Sequence, residues 1–204
     1  MMEQTRQYEY VDLGLPSGLK WAKCNVGAET ETDYGDYFMW GSAEPNTADD
    51  CIWANYKYGD GSKFSKYNPV LNGYSGTIDG KVTLDLDDDA AAQIMGGDWR
   101  MPTKDEIQEL IDNTDREWVE DFNGSGVNGG KFTSKVNGNS IFIPASGYRS
   151  VSSFYGQGNY GYVWSSSLYA VGPDYAWDLY FGSGYAMAGS LSRSFGFVAR
   201  AVMK

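Results

Sequence analysis

The spacing of apolar residues predicts one well-defined helix near the middle of the chain. Ile107, Leu110 and Ile111 recur at helical spacing and form a single apolar stripe. Thr103 and Glu106 stand at the start of this stripe as a capping box, in which each side chain accepts a hydrogen bond from the backbone N–H of the other residue. We therefore expect a helix that begins directly after Thr103.

A second, shorter helix is predicted over Asp87–Met95. Its first turn is acidic, which suits the positive end of a helix dipole, and two glycines follow its last residue. The acids near this start also offer the oxygen ligands that Ca²⁺ prefers. Their spacing lacks the glycine and the twelfth-position glutamate of an EF-hand loop, so we assign them to the helix start and predict no metal site. The acids are Asp85, Asp87, Asp88 and Asp89.

Elsewhere the pattern predicts short, mostly antiparallel strands joined by long ordered loops. Tyr8 to Trp21 is typical of a hairpin around a Leu-Pro-Ser-Gly turn, and Asp49–Tyr74 reads as a long ordered insertion. Asn137-Gly138 favours a type I′ turn between two strands. We expect one α+β domain over residues 1–204. The strands predicted in the second half are Lys131–Val136, Asn139–Pro144, Tyr162–Ser166, Ala176–Phe181 and Phe197–Val202.

The charge of the chain limits its partners. A formal net charge of −11 disfavours nucleic acid and anionic membrane surfaces, which both require a basic face. No apolar run reaches the roughly 20 residues that span a bilayer, so we expect no membrane insertion. The first six residues contain no signal-peptide core. Either the protein is assembled in the cytoplasm, or the chain starts after a removed leader.

The residue types exclude several catalytic chemistries. The chain has no histidine, which removes the usual general base and the commonest transition-metal ligand. Gly156–Asn159 is glycine-rich but lacks the Lys-Ser/Thr of a phosphate loop, so we expect no cofactor. Cys24 and Cys51 are able to close one disulfide loop of about 27 residues. Two cysteines are far from a disulfide scaffold, and we favour two buried thiols.

Two tryptophan segments have a structural interpretation. Trp99 and Arg100 stand directly before the capped helix, so we expect a buried Trp99 and an Arg100 that pairs with an acid or with carbonyl groups. Trp164 is expected to face the core while the serines at 165–167 bond neighbouring backbone. Strand alternation then places Asp178 and Tyr180 opposite the core residues of their strand, which we predict as Trp177, Leu179 and Phe181.

The C-terminal quarter has the composition of a recognition surface. Eight of the 16 tyrosines fall between 147 and 200 among glycine and serine, whereas 25 of the 27 acids lie at or before Asp121. Tyrosine offers a large, stiff contact area, and glycine and serine let the backbone adapt. The alternative is a sheet with aromatic cross-strand pairs. The segments Tyr169–Tyr175 and Gly182–Ser194 carry too many such residues for simple connecting loops, and we favour recognition.

Several segments together resemble a known family. Gly96 to Glu106 (GGDWRMPTKDE), Tyr162 to Ser167 (YVWSSS) and Arg193 to Arg200 (RSFGFVAR) resemble C-type-lectin-fold proteins of gut Bacteroidales and their phages. Val11 to Trp21 and Asp33 to Gly41 match the same group. The Trp-Arg-Met-Pro-Thr-x-x-Glu element is also similar to formylglycine-generating-enzyme-type domains. Those enzymes use paired cysteines near the C-terminus, and this chain has no cysteine after Cys51.

The resemblance implies a C-type lectin fold and a binding function. The tail is similar to the variable proteins of diversity-generating retroelements, which display ligand-binding positions on this fold and bind targets on cells. It implies a non-enzymatic adhesin-type protein, virion-associated or extracellular, with a protein or glycan partner on a cell surface and a variable region at 146–204. The binding positions that it implies are Tyr160, Tyr162, Tyr169, Asp174, Tyr175, Asp178, Tyr180, Tyr185, Ser190, Ser192 and Phe195.

Two other functions remain open from the sequence. One is a bacterial surface or pilus-associated structural module, and the other is a carbohydrate-active or metal-dependent enzyme. Glu44-Pro45-Asn46 matches the calcium-site tripeptide of sugar-binding lectins, but it lies far upstream of the expected ligand face and we treat the match as chance.

Overall fold

The computed structural model describes residues 7–69 and 73–204 of an α+β protein. Residues 1–6, on which the expectation about a leader depends, and residues 70–72 of the predicted insertion lie outside the described residues. Two α-helices are present in the described part, α1 (Ala90–Met95) and α2 (Lys104–Asn113), and neither is long and apolar enough to cross a membrane. The strands are β1 (Tyr10–Asp12), β2 (Lys20–Ala22), β3 (Tyr37–Phe38), β4 (Lys63–Phe64), β5 (Ser75–Gly76), β6 (Thr114–Val119), β7 (Gly129–Ser134), β8 (Ser140–Pro144), β9 (Tyr148–Ser150), β10 (Ser153–Tyr155), β11 (Gly161–Leu168), β12 (Tyr175–Phe181), β13 (Ala186–Ser192), β14 (Phe197–Val198) and β15 (Val202–Met203).

A five-stranded sheet carries most of the C-terminal quarter. Its order is β13-β12-β11-β14-β3, and its pairs are antiparallel except the parallel pair β11–β14. Alternate residues enter two different cores, because successive side chains of a strand point to opposite faces. Leu179 and Phe181 pack with Ile107 and Leu110 of α2 on one face, and Trp164 lies in the core on the other. Both faces of the sheet are therefore largely covered.

The first and the last strand of the described residues lie in a second sheet. The predicted hairpin forms as β1 and β2, with Gly18 N–H donating to the Leu15 carbonyl, and β15 adds to β2. The prediction of one strand over Phe197–Val202 is wrong, because β14 and β15 belong to different sheets. Between them the fully buried Arg200 donates to Asn25 Oδ1 at 2.8 Å and to the Phe142 carbonyl at 3.0 Å. These bonds hold the segment that separates the two strands.

Helix α2 begins as predicted. Thr103 Oγ1 accepts from Glu106 N–H at 3.3 Å, and Glu106 Oε2 accepts from Thr103 N–H at 2.8 Å. Arg100 grips the same Glu106 carboxylate with two bonds of 2.7 Å, and Trp99 is 8% exposed. Both expectations for the Trp99–Arg100 segment are confirmed. The cap of α2 is thus formed by side chains that are close together in the sequence.

Helix α1 is shorter than predicted. It begins at Ala90, and only Asp89 caps it, by accepting from Ala92 N–H at 3.0 Å. Asp87 and Asp88 lie in a preceding 3₁₀ turn. Asp88 is buried and accepts from Lys66 Nζ at 2.5 Å. Asp88, which the sequence analysis assigned to the start of the helix, therefore binds the insertion through Lys66.

The aromatic residues of the insertion form a packed unit rather than an exposed loop. Tyr67 donates to Asp88 at 2.6 Å, and its ring meets the Trp40 ring edge-on at 5.1 Å. Arg193 is fully buried among these rings, with its guanidinium 4.6 Å from the Phe64 ring centroid. The insertion is thereby tied to the C-terminal quarter of the chain.

Two turn and loop predictions are corrected. Asn137 does not have positive φ, so Asn137-Gly138 is not a type I′ turn, which requires it at both positions. The loop between β7 and β8 has five residues, and Ser134 Oγ accepts from the N–H groups of Val136 and Asn137. The segment Gly182–Ser194 is also not a loop, because β13 forms the edge of the large sheet within it. Strand β6 was not predicted.

Both cysteines carry free thiols. Cys51 is buried as expected, and burial raises its pKa to about 11. Cys24 is only half-buried, which corrects the expectation for that residue. The Trp164 expectation is confirmed: the side chain is fully buried and donates to the Phe38 carbonyl at 2.7 Å. Ser165 Oγ donates to the Trp177 carbonyl at 2.8 Å.

Candidate ligand-binding surface

A continuous run of aromatic rings crosses the sheet face opposite α2. We call this surface the aromatic face; it comprises Tyr148, Tyr155, Tyr160, Tyr162, Tyr180, Tyr185 and Phe195. The central contact is between Tyr162 and Tyr180, which lie opposite each other on β11 and β12 and stack at 4.7 Å. Tyr185 lies 5.1 Å from the Tyr180 ring and Tyr160 lies 6.0 Å from it.

The hairpin of β9 and β10 extends the aromatic face on its other side. Tyr148 meets Tyr162 edge-on at 5.1 Å and stacks with Tyr155 at 5.1 Å. Phe195 also stacks with Tyr148, at 5.2 Å between ring centroids. Such offset and edge-on arrangements are the favourable ones for aromatic pairs. The rings therefore support one another along the whole surface.

Exposure separates the rings into a supporting layer and an outer layer. Tyr155, Tyr160 and Tyr185 are 45%, 40% and 38% exposed. Tyr162 is only 8% exposed, so the expectation that its side chain is exposed is wrong. Its ring packs against Phe197 of the core at 5.1 Å because its strand is central in the sheet. Tyr180 and Phe195 are half-buried.

One hydroxyl group of the outer layer, that of Tyr185, is bonded to a half-buried ring beneath it. Tyr185 donates a hydrogen bond to the Tyr180 hydroxyl. Loss of solvent, together with this bond, raises the pKa of Tyr185 to about 12. Burial likewise raises the pKa of Tyr162. These phenols stay neutral at physiological pH and present hydrogen-bonding groups beside apolar ring area.

A pocket of about 310 Å³ opens in the aromatic face beside Tyr162 and Tyr180. We call it the Asp178 pocket. Asp178 is its least exposed lining residue, at 0%, so the expectation that Asp178 is exposed is wrong. Neither carboxyl oxygen has a hydrogen-bond partner within the described residues. The pocket is lined by Tyr162, Asp178, Tyr180, Gly189, Ser190 and Leu191.

The Asp178 carboxyl has unusual electrostatics. Burial without a compensating charge raises its pKa to about 8, because the charged form loses its hydration. Gly189 lies opposite Asp178 on β13, and a Cβ placed there would stand 3.1 Å from Asp178 Oδ1. The backbone of Gly189 does not have positive φ. Glycine at 189 therefore leaves space beside the carboxyl rather than serving a turn.

The other expected binding residues lie away from the aromatic face. Tyr175 is 38% exposed but shares its side of β12 with Leu179 and Phe181, and it pairs in register with Ser192. Tyr169 is half-buried and packs edge-on against Trp177 at 5.0 Å. Trp177 itself is half-buried, which corrects its assignment to the core.

Asp174 and the serines are held by local contacts. Asp174 accepts a hydrogen bond from the Tyr74 hydroxyl, and its carbonyl accepts from Arg193 N–H at 2.9 Å. Ser192 Oγ and Ser194 Oγ share a bond of 2.9 Å. Ser190 lines the Asp178 pocket from β13. The eleven expected positions thus divide between the aromatic face with its pocket and a separate group at the far end of β12.

The comparison with protein families identifies the chain. A family model described as the Lcl C-terminal domain matches residues 14–203. The chain belongs to the Lcl C-terminal domain family. The comparisons with curated proteins and with solved structures returned no match. Membership is consistent with a ligand-binding, adhesin-type domain.

Some residues of this Lcl C-terminal domain surface were not among the sequence-predicted positions. Tyr148 and Tyr155 belong to the tyrosine-rich segment, but their pairing as a hairpin required the tertiary structure. Gly189 carries no sequence signal of its own, since its importance is the space beside Asp178. Glu44-Pro45-Asn46 has a structural role: Asn46 Oδ1 accepts from Met39 N–H at 2.7 Å. No group of acids or cysteines in the described residues is arranged to hold a metal.

Proposed function

We propose that this protein is a non-enzymatic recognition protein that binds a protein or glycan on a cell surface through its aromatic face. The observation that carries the proposal is the unbroken contact between rings from Tyr185 to Tyr155, with the outer rings exposed. A stiff aromatic surface loses little conformational entropy on binding, which favours affinity. The protein acts outside the cell or on a virion.

Within this proposal, the protein has a C-type lectin fold of the kind found in diversity-generating-retroelement variable proteins. The motifs of the sequence support it, as do the capped helix on a mixed sheet and the tail anchored by Arg193 and Arg200. Buried side chains such as Arg193 and Arg200 fix the backbone of this region. Substitutions at outer positions such as Tyr160 and Tyr185 should therefore be tolerated. Region 146–204 is the ligand-binding region in this proposal.

Alanine variants of the outer rings test the proposal. Labelled wild-type protein is applied to a glycan array, to intact cultured human intestinal epithelial cells and to intact gut Bacteroidales cells. We expect binding to at least one of these, weakened by about 2 kcal/mol or more when an anchor ring among Tyr155, Tyr160 and Tyr185 is truncated. The melting temperatures should stay close to wild type, because these rings are exposed.

Tyr10→Ala is the matched control. Its ring is 48% exposed on β1, outside the aromatic face, and its loss should leave binding unchanged. The proposal is wrong if a variant with alanine at Tyr155, Tyr160 and Tyr185 together binds as tightly as the wild type, or if the wild type binds none of the three probes.

A further inference from the structure

The Asp178 pocket combines three features that select for a positive charge. It contains a buried carboxyl group with no partner among the described residues. Two stacked tyrosine rings, Tyr162 and Tyr180, form its wall, and aromatic rings attract cations through their electron-rich faces. The chain as a whole has a formal net charge of −11, which draws cations toward the protein.

The space beside the carboxyl is kept open by glycine. Every other backbone position of the pocket has a side chain, whereas Gly189 has none and lies directly opposite Asp178. An added methyl group at 189 would contact Asp178 Oδ1 at 3.1 Å and Tyr180 Cβ at 3.2 Å. A buried, unpaired carboxyl group costs stability. A ligand that pairs with the Asp178 carboxylate compensates for that cost when it binds.

We propose that the Asp178 pocket binds an alkylammonium group, such as a lysine side chain of a partner protein, with the Asp178 carboxylate as its counter-ion. This inference rests on the proposed recognition function and specifies the chemistry of one ligand group. The half-buried Tyr180 ring rotates to admit the ammonium group. The ammonium group then lies between the Asp178 carboxylate and the Tyr162 ring. An alkyl chain of lysine length packs along the aromatic face.

The protonation state of Asp178 gives the proposal a specific pH dependence. The titratable groups of the pocket wall are Tyr162 on β11 and Tyr180 on the strand of Asp178; β13 contributes Gly189, Ser190 and Leu191. Burial raises the pKa of both phenols, so they stay neutral below pH 9. Ammonium binding requires the ionised carboxylate, whose pKa is about 8 in the free protein. Affinity should therefore rise about tenfold per pH unit up to pH 8 and then level off.

Titration calorimetry or NMR with two lysine-like probes tests the proposal. The probes are Nα-acetyl-lysine methylamide and Nα-acetyl-norleucine methylamide, which share an alkyl chain but differ in the ammonium group. We expect the lysine probe to bind at pH 9 and to lose up to about 100-fold in affinity at pH 6. The norleucine probe should bind weakly and without this pH dependence. n-Butylamine as a third probe separates a free amine from a peptide-borne lysine, and the peptide-borne form should bind more tightly.

Three variants locate the binding. Asp178→Asn keeps the shape of the side chain and should abolish the binding of the lysine probe at pH 9. Gly189→Ala should weaken it at least tenfold by filling the space beside the carboxyl. Gly184→Ala is the matched control, since Gly184 has neither positive φ nor any atom within 4 Å of its added Cβ, and it should bind like wild type.

The possible results separate this inference from the proposed function. Absence of lysine-probe binding at pH 9, unchanged binding in Asp178→Asn, or tighter binding at pH 6 would each overturn the inference. In all three cases the outer-ring variants still decide whether the aromatic face binds cells or glycans. Loss of cell or glycan binding only in the outer-ring variants, with no effect of Asp178→Asn on the lysine probe, leaves the proposed function standing alone.

Discussion

At the scale of single residues, Asp178 stands out because its carboxyl group is buried and its protonation should affect the stability of the protein. A carboxyl group that is fully buried and unpaired among the described residues favours its neutral form. Sequence alternation correctly separated Asp178 and Tyr180 from Leu179 and Phe181. It did not reveal that both faces of β12 are covered, since alternation reports direction and not what lies in that direction.

The first prediction concerns the pH dependence of stability. The folded-state pKa of Asp178, about 8, is above its unfolded value of 3.8, so the folded state binds the proton more tightly. The stabilisation is fully present below pH 4 and is lost as pH rises toward 8. Relative to Asp178→Asn, the wild type should lose up to about 1.4 kcal/mol of unfolding free energy per pH unit in that range.

Urea denaturation of both proteins at pH 5, 6, 7 and 8 provides the measurement. The difference between the two free energies of unfolding, rather than either value alone, isolates Asp178, because the other titratable groups are shared. A difference that is constant over the four pH values would show that the carboxyl ionises as in an exposed residue.

At the scale of elements, α2 shows how far local sequence determines structure. The capping box and the ion pair at its start lie between Arg100 and Glu106, and both follow from the local sequence. The bond from Lys104 N–H to Ser167 Oγ at 3.0 Å comes from a distant strand and needed the tertiary structure. Helix α1 behaved differently because its acids have distant partners. Asp88 binds Lys57 and Lys66, which are 31 and 22 positions away in sequence. The local dipole argument therefore assigned Asp88 to the wrong role.

The second prediction is that Thr103→Ala destabilises the protein by about 1 kcal/mol. The substitution removes the acceptor for Glu106 N–H and leaves that N–H without its cap. Thr103→Ser retains the hydroxyl oxygen and should recover most of the loss. Chemical denaturation of the three proteins measures the effect, and equal stability of the alanine and serine variants would contradict the capping role.

At the scale of the whole molecule, Arg193 joins parts of the chain that are far apart in sequence. Its guanidinium donates to the Tyr56 hydroxyl at 2.8 Å, to the Tyr67 carbonyl at 3.0 Å and to the Pro173 carbonyl at 2.6 Å. The insertion and the loop before β12 thereby share one buried cation. This arrangement places Tyr74 against Asp174 at the far end of the sheet.

The third prediction is that Arg193→Lys destabilises the protein by about 2 kcal/mol or more. Lysine cannot reproduce the planar set of donors, so buried carbonyl groups lose their partners. Limited proteolysis should show faster cleavage within 56–67 than in wild type. Arg116→Lys is the control, since the Arg116 side chain is partly exposed and bonds the Gly182 carbonyl. Equal proteolysis of the two variants would rule out the joining role.

The sequence by itself determined the α+β class, the capped start of α2, the buried Trp99 and Trp164, and the concentration of tyrosine in the C-terminal quarter. These features depend on neighbouring residues or on composition, which a single chain displays directly. Only the tertiary structure decided which tyrosines face solvent, that β13 forms an edge strand, and that Asp178 lies buried beside Gly189. Those features depend on which surfaces the fold covers, and the covering residues come from strands, loops and an insertion widely separated along the chain.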